Sequence, residues 1–399
     1  MNPDALCYQR NFGLDVLRVA SIAAVLGLHG HMGFFVSTGL VSWTGWTAVV
    51  DACVVFAVEW FFVLSGFLIG GMLIRGFETQ GVGWAGVRNF WLRRWFRTVP
   101  NYYLFLAVNA VLVWWGVGEG RFAWSFVAFA QGLAWPPGKP LFYAEAWSLA
   151  VEEWFYLLLP LLLVGLAWSW RKAGRRADHA RLFWRAAVLL IALPTFVRCV
   201  LPPPLHFFAW DEQVRRITLL HLDAPGWGVL AAALSRWHPR WWARRQGLKA
   251  LLGLALMGSA VAALAYGLLI DWRGIAGGHG NDLLLTTAPA LGVMLMLPWL
   301  SGLRVPAARW LRGAVTRVSD WTYSLYLCHL PLQLLLLRSV QLWAGDVSLA
   351  LWWLVPLWLA LTFTVAALLF RGFELPMTRL RERFTRKVQA GPFRTWGDP

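Results

Sequence analysis

Arg18 and His29 stand eleven residues apart inside one apolar run. On a helix that offset closes to within about 20°, so both side chains share a face, about 16 Å apart along the axis. An imidazole can take and return a proton near neutral pH, and a planar guanidinium suits phosphate oxygens. A second candidate pair is Ser148 and Glu152, at i and i+4 in EAWSLAVEEWFY, with Glu153 adjacent. Carboxylates inside an apolar run are costly and mark function by default. If His29 and Glu152 lie at one depth, they form an acid–base pair. A third set is the run RNFWLRRWFRTVP at 88–100, where Arg93 and Arg97 share a helical face and Arg94 lies between them. That run reads either as an amphipathic helix attracted to anionic lipid or as a clamp for the phosphates of a cytoplasmic ligand.

Other polar groups interrupt apolar stretches. Glu59 opens EWFFVLSGFLIGG and calls for a polar partner, while Gly66 and Gly70 in the same stretch are spaced for close helix packing. Tyr323, Tyr326 and His329 punctuate DWTYSLYLCHLP, His221 and Asp223 form a further pair, and Glu374 sits in RGFELP. HExxH and a Gly-rich phosphate loop are both missing, and the four Cys form no CxxC pair, so no metal site is expected.

The elements that must position these groups are membrane helices. Of 399 residues, 59% are hydrophobic and 14% charged, and mean hydropathy is +0.55. A soluble domain of this size carries about a quarter charged residues, and 29 Trp with 25 Phe exclude a solvated disordered chain. The expected fold is an all-α polytopic bundle. Ten apolar runs of about 20 residues are expected to span, at roughly 14–36, 48–74, 99–117, 144–169, 184–201, 216–235, 248–270, 281–300, 318–339 and 348–373. The apolar piece 121–135 is short and reads as interfacial or re-entrant. Most of the 36 Lys and Arg fall in 75–98, 171–185, 236–250, 304–317 and 371–399. That alternation places both termini in the cytoplasm. The formal charge of +16 is therefore topology, and nucleic acid is not an expected partner. Two parts are expected, a transmembrane domain over 1–376 and a basic cytoplasmic tail over 377–399, without a cleavable signal peptide.

In combination these blocks resemble the membrane-bound acyltransferase 3 family, whose members O-acylate carbohydrates and other exported molecules. Arg18 and His29, EWFFVLSGFLI, RRWFRTVP, WSLAVEEWFYLLLP, YSLYLCHLP and FELP occur in the family's order between residues 18 and 376. The resemblance implies that Arg18 and His29 are essential, with His29 catalytic, that the arginines at 93–97 help to hold the acyl donor, and that Glu152 is the first carboxylate of the family's Trp-Ser-Leu-x-x-Glu block. Glu152 is expected to act with His29, Arg18 to join Arg93, Arg94 and Arg97 at the donor phosphates, and Trp147, Ser148, Tyr326 and His329 to contact substrate. The donor it implies is acyl-coenzyme A, acetyl-coenzyme A first, as co-substrate rather than tightly bound cofactor. Two positions depart from the family: His221-Leu222-Asp223 where Arg-x-Asp is frequent, and Thr322 where Ser is frequent.

The function expected is O-acylation of an exported or lipid-linked glycan at the bacterial inner membrane. His29, oriented by a carboxylate such as Glu152, would act as general base. The alternative is a proton-coupled transporter with His29, Glu59, Glu152 and His329 as relay. It lacks the internal repeat that such transporters show.

Overall fold

The computed structural model describes residues 10–42, 44–134, 142–174, 178–202, 204–270, 283–344 and 351–384. Among these residues the chain is helical, with no strand. Helix α1 spans Phe12–Gly30, starts at Asn11, whose side chain accepts from the Leu14 amide at 3.1 Å, and continues as a π-turn over His31–Val36. Helices α2 (Trp46–Val54) and α3 (Ala57–Gln80) share the second apolar run. Helix α4 covers Trp84–Trp114, α5 is a single turn at Trp124–Val127, α6 covers Ala146–Lys172 and α7 His179–Val200. Then α8 (Phe207–Trp210) and its π-turn Asp211–Arg215 meet a 3₁₀ turn at Leu219–His221 and α9 (Asp223–Trp237) at a bend of 93°. Helix α10 (Pro239–Ala243) leads to α11 (Gln246–Leu269), and α12 (Ala288–Ser301) follows a π-turn at Leu283–Thr287. Helix α13 (Arg309–Ala344) has 36 residues and is followed by α14 (Leu351–Leu369), a π-turn Phe370–Glu374, α15 (Leu375–Leu380) and a 3₁₀ turn Arg381–Arg383.

Eight helices or joined helix runs among the described residues are long and apolar enough to cross a bilayer, nine if the bent pair around Leu219 is one span. The chain is an integral membrane protein. The remaining expected span, 99–117, lies in the second half of α4, where Asn101, Asn109 and the preceding arginines lower the hydropathy. The arginine run is thus not a separate surface helix. It is the first half of the same 31-residue rod, carried through Pro100. Segment 121–134 holds only the four-residue α5, as expected of a piece that does not span.

Close packing fixes the bundle where glycines let backbones touch. A Cβ on Gly66 would stand 2.0 Å from the Pro225 carbonyl oxygen, and one on Gly228 would stand 2.1 Å from that of Val63, so α3 and α9 meet backbone to backbone. Helices α1, α3, α4, α6, α9, α12 and α13 contribute to one continuous apolar core. Leu251, Leu252, Trp352 and Trp353 point outward and are largely exposed, as lipid-facing side chains are.

Candidate active site

A cavity of about 460 Å³ opens between α1, α3, α4, α6 and α13. That volume is in the range of small-ligand sites. Arg18, Arg93, Arg94, Arg97 and Arg381 line it, and Glu152 is the only carboxylate among its lining residues. Ser148 and Tyr326 also line it, joined through their hydroxyls at 2.6 Å. Seven of the expected site residues therefore share one chamber, although they come from four helices.

Each cation is placed by its helix and its neighbours. Arg18 donates to Asp15 at 2.6 Å, and Ser319 on α13 donates to the same carboxylate oxygen at 2.8 Å. Asp15 also pairs with Arg10, so one buried acid ties the start of α1 to α13 and aims Arg18. Arg94 lies over the Tyr156 ring, 5.8 Å from its centroid, and contacts the Met72 sulfur at 3.7 Å. The pitch of α4 is held by Thr98, which donates to Glu153 at 2.5 Å and accepts at its carbonyl from Tyr323 at 2.8 Å. Trp91 adds a bond to the Tyr156 carbonyl at 3.0 Å. Glu153 is consequently a clamp between α4 and α6. Arg93 and Arg97 have no carboxylate partner among the described residues.

The expected pairing of His29 with Glu152 is not made. The Glu152 carboxylate accepts from Tyr156 at 3.1 Å, one turn along α6, and Ser65 hydrogen-bonds the same Tyr156 hydroxyl at 2.9 Å. The reason is helical geometry: i and i+4 share a face, so the acid meets Tyr156 before it can reach another helix. His29 instead meets His329 on α13, Nδ1 to Nε2 at 2.8 Å with the rings stacked. His329 is fully buried, its carbonyl accepts from Trp358 at 2.8 Å, and its ring lies 5.7 Å from that of Tyr326. His29 is half-buried, and its carbonyl accepts from Gln333 at 2.8 Å. The imidazole pair thus stands one side chain behind Tyr326, which lines the cavity.

Trp147 does not reach the cavity wall. It lies over Arg215, 4.8 Å from the guanidinium carbon, with His221 edge-on at 6.0 Å. Arg215 is the partner that Glu59 requires, at 3.1 Å, and it also holds Asp211 at 3.1 Å and the Val55 carbonyl at 2.7 Å. Asp223 pairs with Arg198 at 2.7 Å. Glu374 accepts from Ser324 at 2.7 Å and pins the end of the last apolar run to α13. The expected relay of His29, Glu59, Glu152 and His329 is therefore split three ways, and only the two histidines touch.

Sequence reasoning missed Asp15, Ser319, Tyr156 and Arg381. An i, i+3 acid–base spacing marks Asp15 for Arg18, and an i, i+4 spacing marks Tyr156 for Glu152. Ser319 and Arg381 carry no local signal.

The stretch of chain that builds this cavity also matches a known family. The family model described as an acyltransferase domain, acyltransferase 3, matches residues 11–371. The chain belongs to that family. Seven curated relatives match part of the chain. One, in Staphylococcus aureus (strain COL) and named "Putative O-acetyltransferase", is 29% identical over 198 residues, covering 46% of this chain and 29% of the relative. Another, peptidoglycan O-acetyltransferase OatA of Listeria monocytogenes serovar 1/2a, is 29% identical over 182 residues, covering 40% of this chain and 26% of the relative. The matched stretch thus spans less than a third of each relative's own length. No solved structure matches the chain.

Proposed function

We propose that this acyltransferase 3 protein is a membrane O-acyltransferase that moves an acyl group, acetyl first, from acyl-coenzyme A to a hydroxyl of an exported or lipid-linked glycan. The observation that carries the reading is the convergence of five guanidinium groups on one cavity with a single carboxylate among its described lining residues. Like charges held together need a polyvalent anion, and guanidinium forks suit phosphates. In the same reading α4 is the tenth span, the chain lies in the bacterial inner membrane, and both termini are cytoplasmic. Reporter fusions should then place Gly174 and Gln246 inside and Ser42 outside. A reversed sign at any of them removes this topology.

The donor enters from the cytoplasm, with its phosphates among Arg18, Arg93, Arg94 and Arg97 and its acyl arm directed along α1. Arg18 and His29 are about 16 Å apart along that helix, a distance an extended pantetheine arm can cover. Glu152, held by Tyr156 and facing Arg94 and Arg97, keeps the guanidinium groups in place. It takes the role of a positioning residue and not that of the His29 partner.

His329 takes that second role. Its Nδ1 makes no hydrogen bond of good geometry, and the acceptors beside the ring are the carbonyls of Leu325 and Tyr326 on the preceding turn. We assign the proton of His329 to Nδ1, which leaves Nε2 to accept from the His29 Nδ1–H. His29 Nε2 then keeps its lone pair for the acceptor hydroxyl. It takes that proton as the hydroxyl oxygen attacks the thioester carbonyl. When the tetrahedral adduct collapses, the carbon–sulfur bond breaks. The coenzyme A thiolate leaves and recovers the proton from the imidazolium. Ser148 and Tyr326, between the donor chamber and the imidazole pair, contact the reacting ester.

A general base contributes about 10²- to 10⁴-fold to a rate. In purified protein, His29→Gln should bind acetyl-coenzyme A and transfer at least about a hundredfold more slowly, with unfolding temperature unchanged. Near-normal transfer by that variant would overturn the mechanism.

A further inference from the structure

We propose that Arg381, in the turn that follows the last apolar helix, forms the outer wall of the donor site and binds a phosphate at the nucleotide end of the donor. The inference rests on the donor reading above, and it concerns a residue beyond position 371, where the family match ends. The chain leaves α14 through a π-turn and α15, and the turn Arg381–Arg383 then brings Arg381 onto the cavity wall. The ring of Phe384 stacks on that of Phe96 in α4, with centroids 5.4 Å apart and planes within 15°. That contact docks the segment against the helix that carries the other arginines.

The charged neighbours of Arg381 include Arg93, Arg94, Arg97 and the adjacent Glu382. Arg381 lines the same cavity as Arg93, Arg94 and Arg97, so one phosphate held there can bridge guanidinium groups from α4 and from the end of the chain. Position along α4 says which end of the donor this is. Arg93 lies one turn, about 6 Å, farther from the centre of the helix than Arg97. A donor threaded with its acyl end toward His29 leaves its nucleotide at this mouth. Arg381 and Arg93 together therefore meet the nucleotide phosphates, while Arg18 serves the inner part of the chamber.

The test uses the full chain, purified in neutral detergent with zwitterionic lipid, and two donors. Acetyl-coenzyme A has the nucleotide phosphates and acetyl-pantetheine has none. Arg381→Ala should raise KM for acetyl-coenzyme A about tenfold, the order of one charge-assisted contact, with kcat within about twofold. KM for acetyl-pantetheine should stay put, and Arg381→Lys should recover part of the loss. An unchanged KM for acetyl-coenzyme A overturns the proposal, as does an equal rise for both donors, which would report lost packing. A KM effect that appears only when anionic lipid is added assigns Arg381 to a lipid headgroup and also overturns it. Wild-type protein that cannot use acetyl-coenzyme A would sink the donor reading itself. A working wild type with an indifferent Arg381 sinks only this inference.

Discussion

Arginines occur in two settings in this bundle, and the settings are opposites. Around the broken span, Arg215 and Arg198 are buried with carboxylates at 3.1 and 2.7 Å. Around the arginine-lined cavity, Arg93 and Arg97 lie among other guanidinium groups, with no carboxylate bonded to them among the described residues. The first set holds helices: Arg215 joins Glu59 of α3, the Val55 carbonyl and Asp211 across a region where the backbone turns sharply. The second set holds no helix that the aromatic and hydroxyl contacts of α4 do not already hold. Around the broken span the cations are matched by acids and act as scaffolding. In the proposed reading the cations around the cavity, which outnumber its one described carboxylate, receive an anion.

The largest effect should come from the scaffold. Arg215→Ala leaves Glu59 buried without its cation while Asp211 keeps Arg216, and breaking a buried pair costs about 3–5 kcal/mol. The expected result is loss of folded protein, read as a collapse of the size-exclusion peak and of the unfolding temperature. A variant that purifies and melts like wild type would erase the distinction between the two sets.

The cavity should respond in the opposite way. Arg93→Ala with Arg97→Ala removes two contacts of about 1.5–3 kcal/mol each to a charged ligand. Donor KM should rise at least tenfold, while stability moves by less than about 1 kcal/mol, as for positions outside the packed core. If donor affinity is unchanged, the run is a lipid anchor and nothing more. The smallest effect is that of salt. Partly exposed arginines are screened and buried pairs much less so. Raising ionic strength should therefore weaken donor binding several-fold and leave the melting temperature almost where it was.

Much of this contrast is legible in the sequence. Glu59 inside an apolar run demanded a partner, and it has one. Gly66 and Gly70 announced close packing, and α3 meets α9 at that surface. Arg18, Arg93, Arg94, Arg97, Ser148 and Glu152 were singled out by residue type and helical spacing, and one cavity gathers them. What the residues did not announce was which acid or base each would touch. Glu152 was expected beside His29 and turned to Tyr156. Trp147 was expected at substrate and lies over Arg215. His329 was expected at substrate and lies against His29.

By itself, the sequence determined the class of protein, the apolar helices and the residue types that chemistry would need. Those are local properties: length, hydropathy and helical spacing repeat every few residues and need no partner to be read. The tertiary structure alone decided the pairings, because contacts such as His29 with His329 join residues three hundred positions apart, and no periodicity reports on them. It also brought Arg381 back from the far end of the chain to the wall of a cavity begun by Arg18. Helix packing sets such juxtapositions through the shape of whole faces, and a face is known only once its neighbour is in place.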